Sequence, residues 1–225
     1  GIMFHDTLAT PWFGDFLADM EVEYALGLFD GVWAQGNSWL MPAMRAVLYP
    51  FGDLDENTYV EGDWRQSDEP TMGIGASWFY DQGGNESHTM TSSWGLDFTM
   101  RWYGFALTAE WMRSKYDMHD FDRLHTRTWY IQLAYMALPN ELEIMARYGK
   151  VAWPYHASST SIVLDTTTEW SVGAAYYWEG HNLKTLFEFG RTDADWDEGN
   201  DFSTSMDGYD DMKTWFARIM FQLEW

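Results

Sequence analysis

Hydrophobic and polar residues alternate along most of this chain in segments of about ten residues, each followed by a polar connection. A period of two is the pattern of a β-strand with one apolar and one polar face. It predicts strands at residues 1–6, 20–29, 39–49, 72–80, 92–102, 105–116, 127–137, 141–150, 169–178, 182–192 and 212–225. Tyr103-Gly104, Pro139-Asn140 and Glu179-Gly180-His181 read as tight turns, and longer polar connections lie at 81–90, 117–125, 152–168 and 193–211. Short and long connections alternate strictly over the C-terminal half, the cadence of an antiparallel transmembrane β-barrel with short turns on the periplasmic side. Residues 51–71 leave two readings open, a long periplasmic excursion or a twelfth strand at 57–66.

The spacing of tryptophans sharpens this expectation. Trp94 and Trp102 are eight residues apart, as are Trp170 and Trp178, and Trp215 and Trp225 are ten apart. Even spacing puts both members of a pair on one face of a strand. Eight residues on a tilted strand rise roughly 21 Å, close to an apolar band of ~25 Å flanked by aromatic girdles. Between the pairs, the same face carries Leu96, Phe98 and Met100; Val172, Ala174 and Tyr176; Ala217, Ile219, Phe221 and Leu223. With Trp129 these six tryptophans make the expected girdle. A soluble β-sandwich or lipocalin-like fold is the alternative, and it supplies no reason for that repeated separation.

Composition narrows the classes further. Of 225 residues, 46% are hydrophobic and 19% aromatic, yet no apolar run reaches the ~20 residues of a membrane-spanning helix. The mean hydropathy is -0.39. Thirteen Lys plus Arg against 35 Asp plus Glu give a net charge of -22, which argues against nucleic acid as a partner. The absence of Cys removes disulfides and thiolate metal sites. Gly1 to Asp6 lacks a basic and an apolar signal region, so a signal peptide has been removed or the chain starts internally.

Several segments resemble the phosphate-selective porin O/P family of outer-membrane porins. They are Glu23-Tyr24-Ala25-Leu26-Gly27-Leu28-Phe29-Asp30-Gly31; Gly104-Phe105-Ala106-Leu107-Thr108-Ala109-Glu110-Trp111; Trp129 to Arg147 with its Pro-Asn turn; Gly173 to Lys184; and Arg218 to Trp225. Glu179-Gly180 stands where the family often has Asn-Pro, and Trp225 where Phe is usual. The resemblance implies a barrel of about sixteen strands, assembled as a homotrimer in the outer membrane of a Gram-negative bacterium. Because only about eleven strands are legible, it implies further N-terminal strands outside residues 1–225; a complete twelve-stranded barrel is the competing architecture. Residues 1–225 form a single domain on either reading.

Alternation places Glu21, Glu23, Arg45, Asp97, Arg101, Glu110, Glu143, Arg147, Lys184, Glu188 and Arg218 on the inward face, as a mixed-sign pore lining. Such charges would set ion preference, or would pair and stiffen the wall. Five bases interleaved with six acids depart from the basic lining that phosphate selectivity implies, and fit a weakly selective or cation-tolerant pore. Arg113 and Arg191, on the outward parity, are placed to meet membrane lipid headgroups and lipopolysaccharide. Asp193, Asp195 and Asp197 open the densest acidic cluster and are weak Ca²⁺ candidates, since Glu198 stands where a calcium loop needs Gly. A solvated acidic loop is the competing reading.

The expected function is passive diffusion of small hydrophilic solutes or ions; the alternative is a barrel acting as scaffold or sheath for a partner. An enzyme is not expected. The six His fall almost wholly in connections or strand ends, and no His-Glu-x-x-His, Gly-x-Ser-x-Gly or phosphate-loop motif is present.

Overall fold

Each alternating segment forms a strand in the structure, a computed structural model that describes residues 1–9, 20–30, 40–51, 62–64, 66, 68–82, 90–117, 124–152, 163–179, 183–197 and 212–223. In chain order the strands are β1 (Ile2–Ala9), β2 (Glu21–Asp30), β3 (Leu40–Tyr49), β4 (Thr71–Asp81), β5 (Met90–Trp102), β6 (Phe105–Asp117), β7 (Leu124–Leu138), β8 (Leu142–Ala152), β9 (Val163–Glu179), β10 (Leu183–Asp197) and β11 (Met212–Leu223). They form one sheet in sequence order, and every ladder is antiparallel. Several strands run past the apolar segments that predict them. β9 and β10 extend to Val163 and Asp197 because Thr166 to Thr168 keep pairing with Asp193 to Asp195 beyond the apolar band.

Two hairpins show how local sequence sets the register. At the β5–β6 turn Tyr103 (φ 49°) and Gly104 (φ 81°) both take left-handed backbone, the geometry of a two-residue turn that matches strand twist. At the β7–β8 turn Asn140 (φ 60°) follows Pro139, and the Glu141 amide donates to the Leu138 carbonyl at 3.1 Å. Proline presets the turn and asparagine tolerates the left-handed position. The third expected turn, Glu179-Gly180-His181, lies largely outside the described residues, as do most of the long connections.

The expected closed wall does not form. β1 pairs with β2 and β11 with β10, and among the described residues no ladder joins β1 to β11. The physical reason is parity. Eleven strands in an up-and-down meander leave β1 and β11 running in the same direction, so self-closure would require a parallel ladder in an otherwise antiparallel sheet. The sixteen-stranded barrel is therefore corrected to an open eleven-stranded sheet. The twelve-stranded alternative fails as well, because residues 62–64 and 66 are not strand, and the rest of 57–66 lies outside the described residues. Among the described residues no helix is long and apolar enough to cross a membrane.

With the closed barrel go the readings built on it. Porin membership, solute diffusion through a lumen, a barrel sheath, a homotrimer, contact with lipid and lipopolysaccharide, and an outer-membrane location all presuppose a wall that the open sheet does not supply.

Two small clusters of buried apolar side chains lie toward the turn end of the polar face. Met136 of β7, Ala175 and Tyr177 of β9 form a small core, with Trp64, Met145 and Leu186 packed against it. Val47 and Tyr49 of β3 form a second.

Candidate functional site

The register determines which side chains share a face, because directly opposed residues point the same way. Following Glu23↔Val47, Val47↔Gly75, Gly75↔Asp97, Asp97↔Glu110, Glu110↔Tyr130, Tyr130↔Gly149, Gly149↔Glu169, and Gly173↔Glu188↔Arg218 across the sheet traces one continuous face. Glu21, Glu23, Arg45, Asp97, Arg101, Glu110, Glu143, Arg147, Lys184, Glu188 and Arg218 all lie on it. Without a closed wall there is no lumen for them to line, and they form instead a charged face.

That face is a chain of pairs. Tyr49 donates its hydroxyl to Glu23 Oε2 at 2.9 Å. Arg45 reaches across β4 to grip both oxygens of Asp97, at 2.6 and 2.8 Å. The crossing is permitted by Gly75, where any Cβ would collide with the Asp97 carboxylate. The Asp97 hydrogen bond holds the Arg45 guanidinium above its ordinary pKa. Tyr130 donates to Glu110 Oε1 at 2.8 Å, and burial together with that bond pushes its phenol up to about 12. Arg147 stands between Glu169 at 3.1 Å and Glu188 at 3.7 Å, and Arg218 meets the other Glu188 oxygen at 3.1 Å. Sequence reasoning found the charges but missed Glu169, which lies at the edge of its predicted strand, and the tyrosines that share the acids. Strict alternation from Ser171 would have placed Glu169 on this face.

A second element lies in residues 51–71, for which the sequence left open an excursion or a strand at 57–66 and gave no sign of its contacts. The segment before β4 forms a strap over the turn end of the polar face. Asp63, only 4% exposed, accepts the Gly104 amide at 2.8 Å. The Gln66 side chain donates to the Met136 carbonyl at 3.2 Å, Trp64 packs edge-on to Tyr177 at 4.5 Å, and the Trp102 indole donates to the Asp68 carbonyl at 3.1 Å. Under the strap the Tyr177 hydroxyl donates to Glu143 at 2.5 Å. Trp64, an aromatic in a polar connection, was a sequence signal for it.

The opposite face is apolar and uncovered. Phe4 is 70% exposed, Leu96 51%, Leu133 55%, Trp178 63%, Ile219 66% and Phe221 75%. Trp94, Trp102, Trp129 and Trp215 are exposed on the same face, Trp170 is half-buried there, and Trp225 lies outside the described residues. The rings pack on one another across strands: Trp94 packs on Trp111 at 4.3 Å, Phe105 on Tyr135 at 4.4 Å, and Trp215 against both Phe189 and Trp170 at 5.5 and 5.7 Å. Between β1 and β4 the face dips into an apolar depression of ≈ 360 Å³ lined by Ile2, Phe4, Leu26, Leu28, Met44 and Trp78 among others.

Other candidates resolve differently. Arg191 does not reach outward for an anionic partner: it donates to Asp193 at 2.7 Å and lies over the Trp215 ring. Arg113 sits opposite Trp94 and Arg127. Of the Ca²⁺ candidates, Asp193 is held by Arg191 and Asp195 accepts from Thr166, while the Asp197 side chain is outside the described set. Among the described residues no group of three or more His, Cys, Asp or Glu is arranged to hold a metal.

No protein-family model matches this chain, and no curated protein or solved structure matches it either. The porin O/P resemblance thus has neither a closed barrel nor a matching family model behind it.

Proposed function

We propose that this chain is a structural β-sheet module that works by association through its apolar face and performs no catalysis. One observation carries the reading: an apolar, aromatic-rich face exposed continuously from β1 to β11, backed by a polar face whose charges are largely paired with one another. Contiguous apolar surface on this scale marks an interaction site, because leaving it in water costs about 25 cal/mol per Å². The partner that fits is a second apolar protein layer, packed at the ~10 Å spacing of stacked sheets.

Sedimentation velocity of the full chain, with and without Leu96→Lys and Phe187→Lys together, tests this. Both side chains are exposed on the apolar face, so the substitutions remove association without disturbing a core. The expected result is an associating wild type and a variant shifted to markedly lower mass, toward multiples of 26.3 kDa no larger than a dimer. A wild type that sediments as a monomer and binds no apolar dye overturns the proposal.

A further inference from the structure

The edges of the sheet make a more specific demand than its face. β11 pairs on one side only, so alternate backbone N–H and C=O groups along its other side have no strand partner among the described residues. It lacks the usual protection of an exposed edge. Its ladder with β10 runs without a register shift from Met212 to Leu223, it contains no Pro, and its only charges are Lys213 and Arg218. Arg218 is already neutralised by Glu188 at 3.1 Å and folded over its own neighbour Phe216 at 4.4 Å.

Symmetry then selects the strand that fits. A second copy placed with β1 beside β11, apolar faces aligned, would pair in parallel, because β1 and β11 run the same way. A second copy turned by a two-fold axis normal to the sheet brings β11 to β11 in antiparallel pairing, like all ten ladders already present. Such an interface is self-complementary and closes at two copies, whereas β1-to-β11 addition would propagate without end. β1, the other edge, is shorter at eight residues and carries Asp6 and His5.

We propose that two copies of this chain join edge to edge through β11, antiparallel, with the axis at Ala217. This rests on the reading of the chain as an association module, and adds its edge to its face. The register sets Trp215 opposite the partner's Ile219, an aromatic–aliphatic pair of the kind that stabilises sheets. It sets Phe216 opposite the partner's Arg218, repeating between copies the ring–guanidinium contact seen within one. Centring the axis one residue later would put Arg218 against its own copy. At Ala217 the axis passes a small, exposed side chain.

The absence of Cys makes the test direct, since any introduced thiol is the only one. Ala217→Cys in the full chain places the two sulfurs directly across the axis, within disulfide reach. Ile219→Cys shifts the thiols four residues apart along the ladder, roughly 13 Å, which is out of reach. Mild oxidation of the Ala217→Cys chain is expected to give on the order of tenfold more covalent dimer than Ile219→Cys. Ala217→Lys, which sets two cations face to face, is expected to abolish the edge dimer while leaving the β-sheet circular dichroism unchanged. Equal crosslinking at both positions, or none at Ala217→Cys, overturns the proposal. If crosslinking fails but the wild type still associates and Leu96→Lys with Phe187→Lys still disperses it, the edge is wrong and the face stands. If neither is seen, both fall.

Discussion

At the scale of single residues, the polar face depends on one glycine. Arg45 and Asp97 meet across β4 only because Gly75 has no Cβ. The pair is partly exposed, with side chains 47% and 21% accessible, so breaking it by Asp97→Asn is expected to cost less than about 1 kcal/mol. Gly75→Ala is more informative, because its sign depends on the neighbour. In the wild type the new methyl displaces the carboxylate and destabilises the sheet. In an Asp97→Ala background the obstacle is gone, and the same change is expected to stabilise by about 0.5–1 kcal/mol through the lost flexibility of glycine. Urea unfolding of the four chains measures the sign reversal, and two changes of the same sign would refute the crowding argument. Tyr130 gives a pH prediction. Its folded pKa of about 12 lies above the ~10 of an unfolded tyrosine. The raised value means its contribution to stability is complete below about pH 10 and is lost as pH climbs through about 12. Because burial is the larger cause and Glu110 the next, Glu110→Gln is expected to lower the Tyr130 pKa while leaving it above the ordinary value. The difference in phenolate absorbance between each chain and its Tyr130→Phe counterpart reads this out.

At the scale of elements, the strap is the feature with most to lose. Asp63 takes the Gly104 amide at the β5–β6 turn, Gln66 takes β7, and Trp64 seals Tyr177 of β9, so one short segment ties the β5–β6 turn to β7 and β9. Asp63→Ala leaves the Gly104 amide without its acceptor and is expected to cost about 1–3 kcal/mol. Trp64→Ala is expected to speed amide exchange at the β5–β6 and β7–β8 turns while leaving β1, β2 and β11 unchanged, which hydrogen exchange resolves strand by strand. Uniform acceleration would mean the strap acts only through global stability. The contrast between strands and strap shows what sequence makes legible. A strand announces itself by alternation, a local property, and all eleven segments with that pattern are strands. Shared faces follow from the same parity, which is why Glu110 and Arg218 could be assigned to one face from residues alone. The strap has no period. Its position follows from Asp63 finding an amide 41 residues away, and no local pattern records that.

At the scale of the whole molecule, closure was the property that alternation could not settle. Period, girdle spacing and turn cadence are all shared by a closed barrel and an open sheet, because each describes a strand and its immediate neighbours. Whether the first strand meets the last depends on strand number and direction, and eleven antiparallel strands leave the ends parallel. The same open geometry makes association depend on long-range charge. Each chain carries a net charge of -22 with a pI near 4.3, so two copies repel at neutral pH whichever surface joins them. The contacts at the face and at β11 are mainly apolar or backbone in character, so salt weakens them little. Salt does screen the repulsion: the Debye length falls from ~30 Å at 0.01 M to ~8 Å at 0.15 M. Association is therefore expected to tighten as salt rises and as pH falls toward the pI, measured as a rising weight-average mass in sedimentation equilibrium. An interface held by the acidic face against cationic groups behaves oppositely and dissociates in salt. A mass that falls as salt is added would thus move the contact away from both the apolar face and β11, toward the charged side of the sheet.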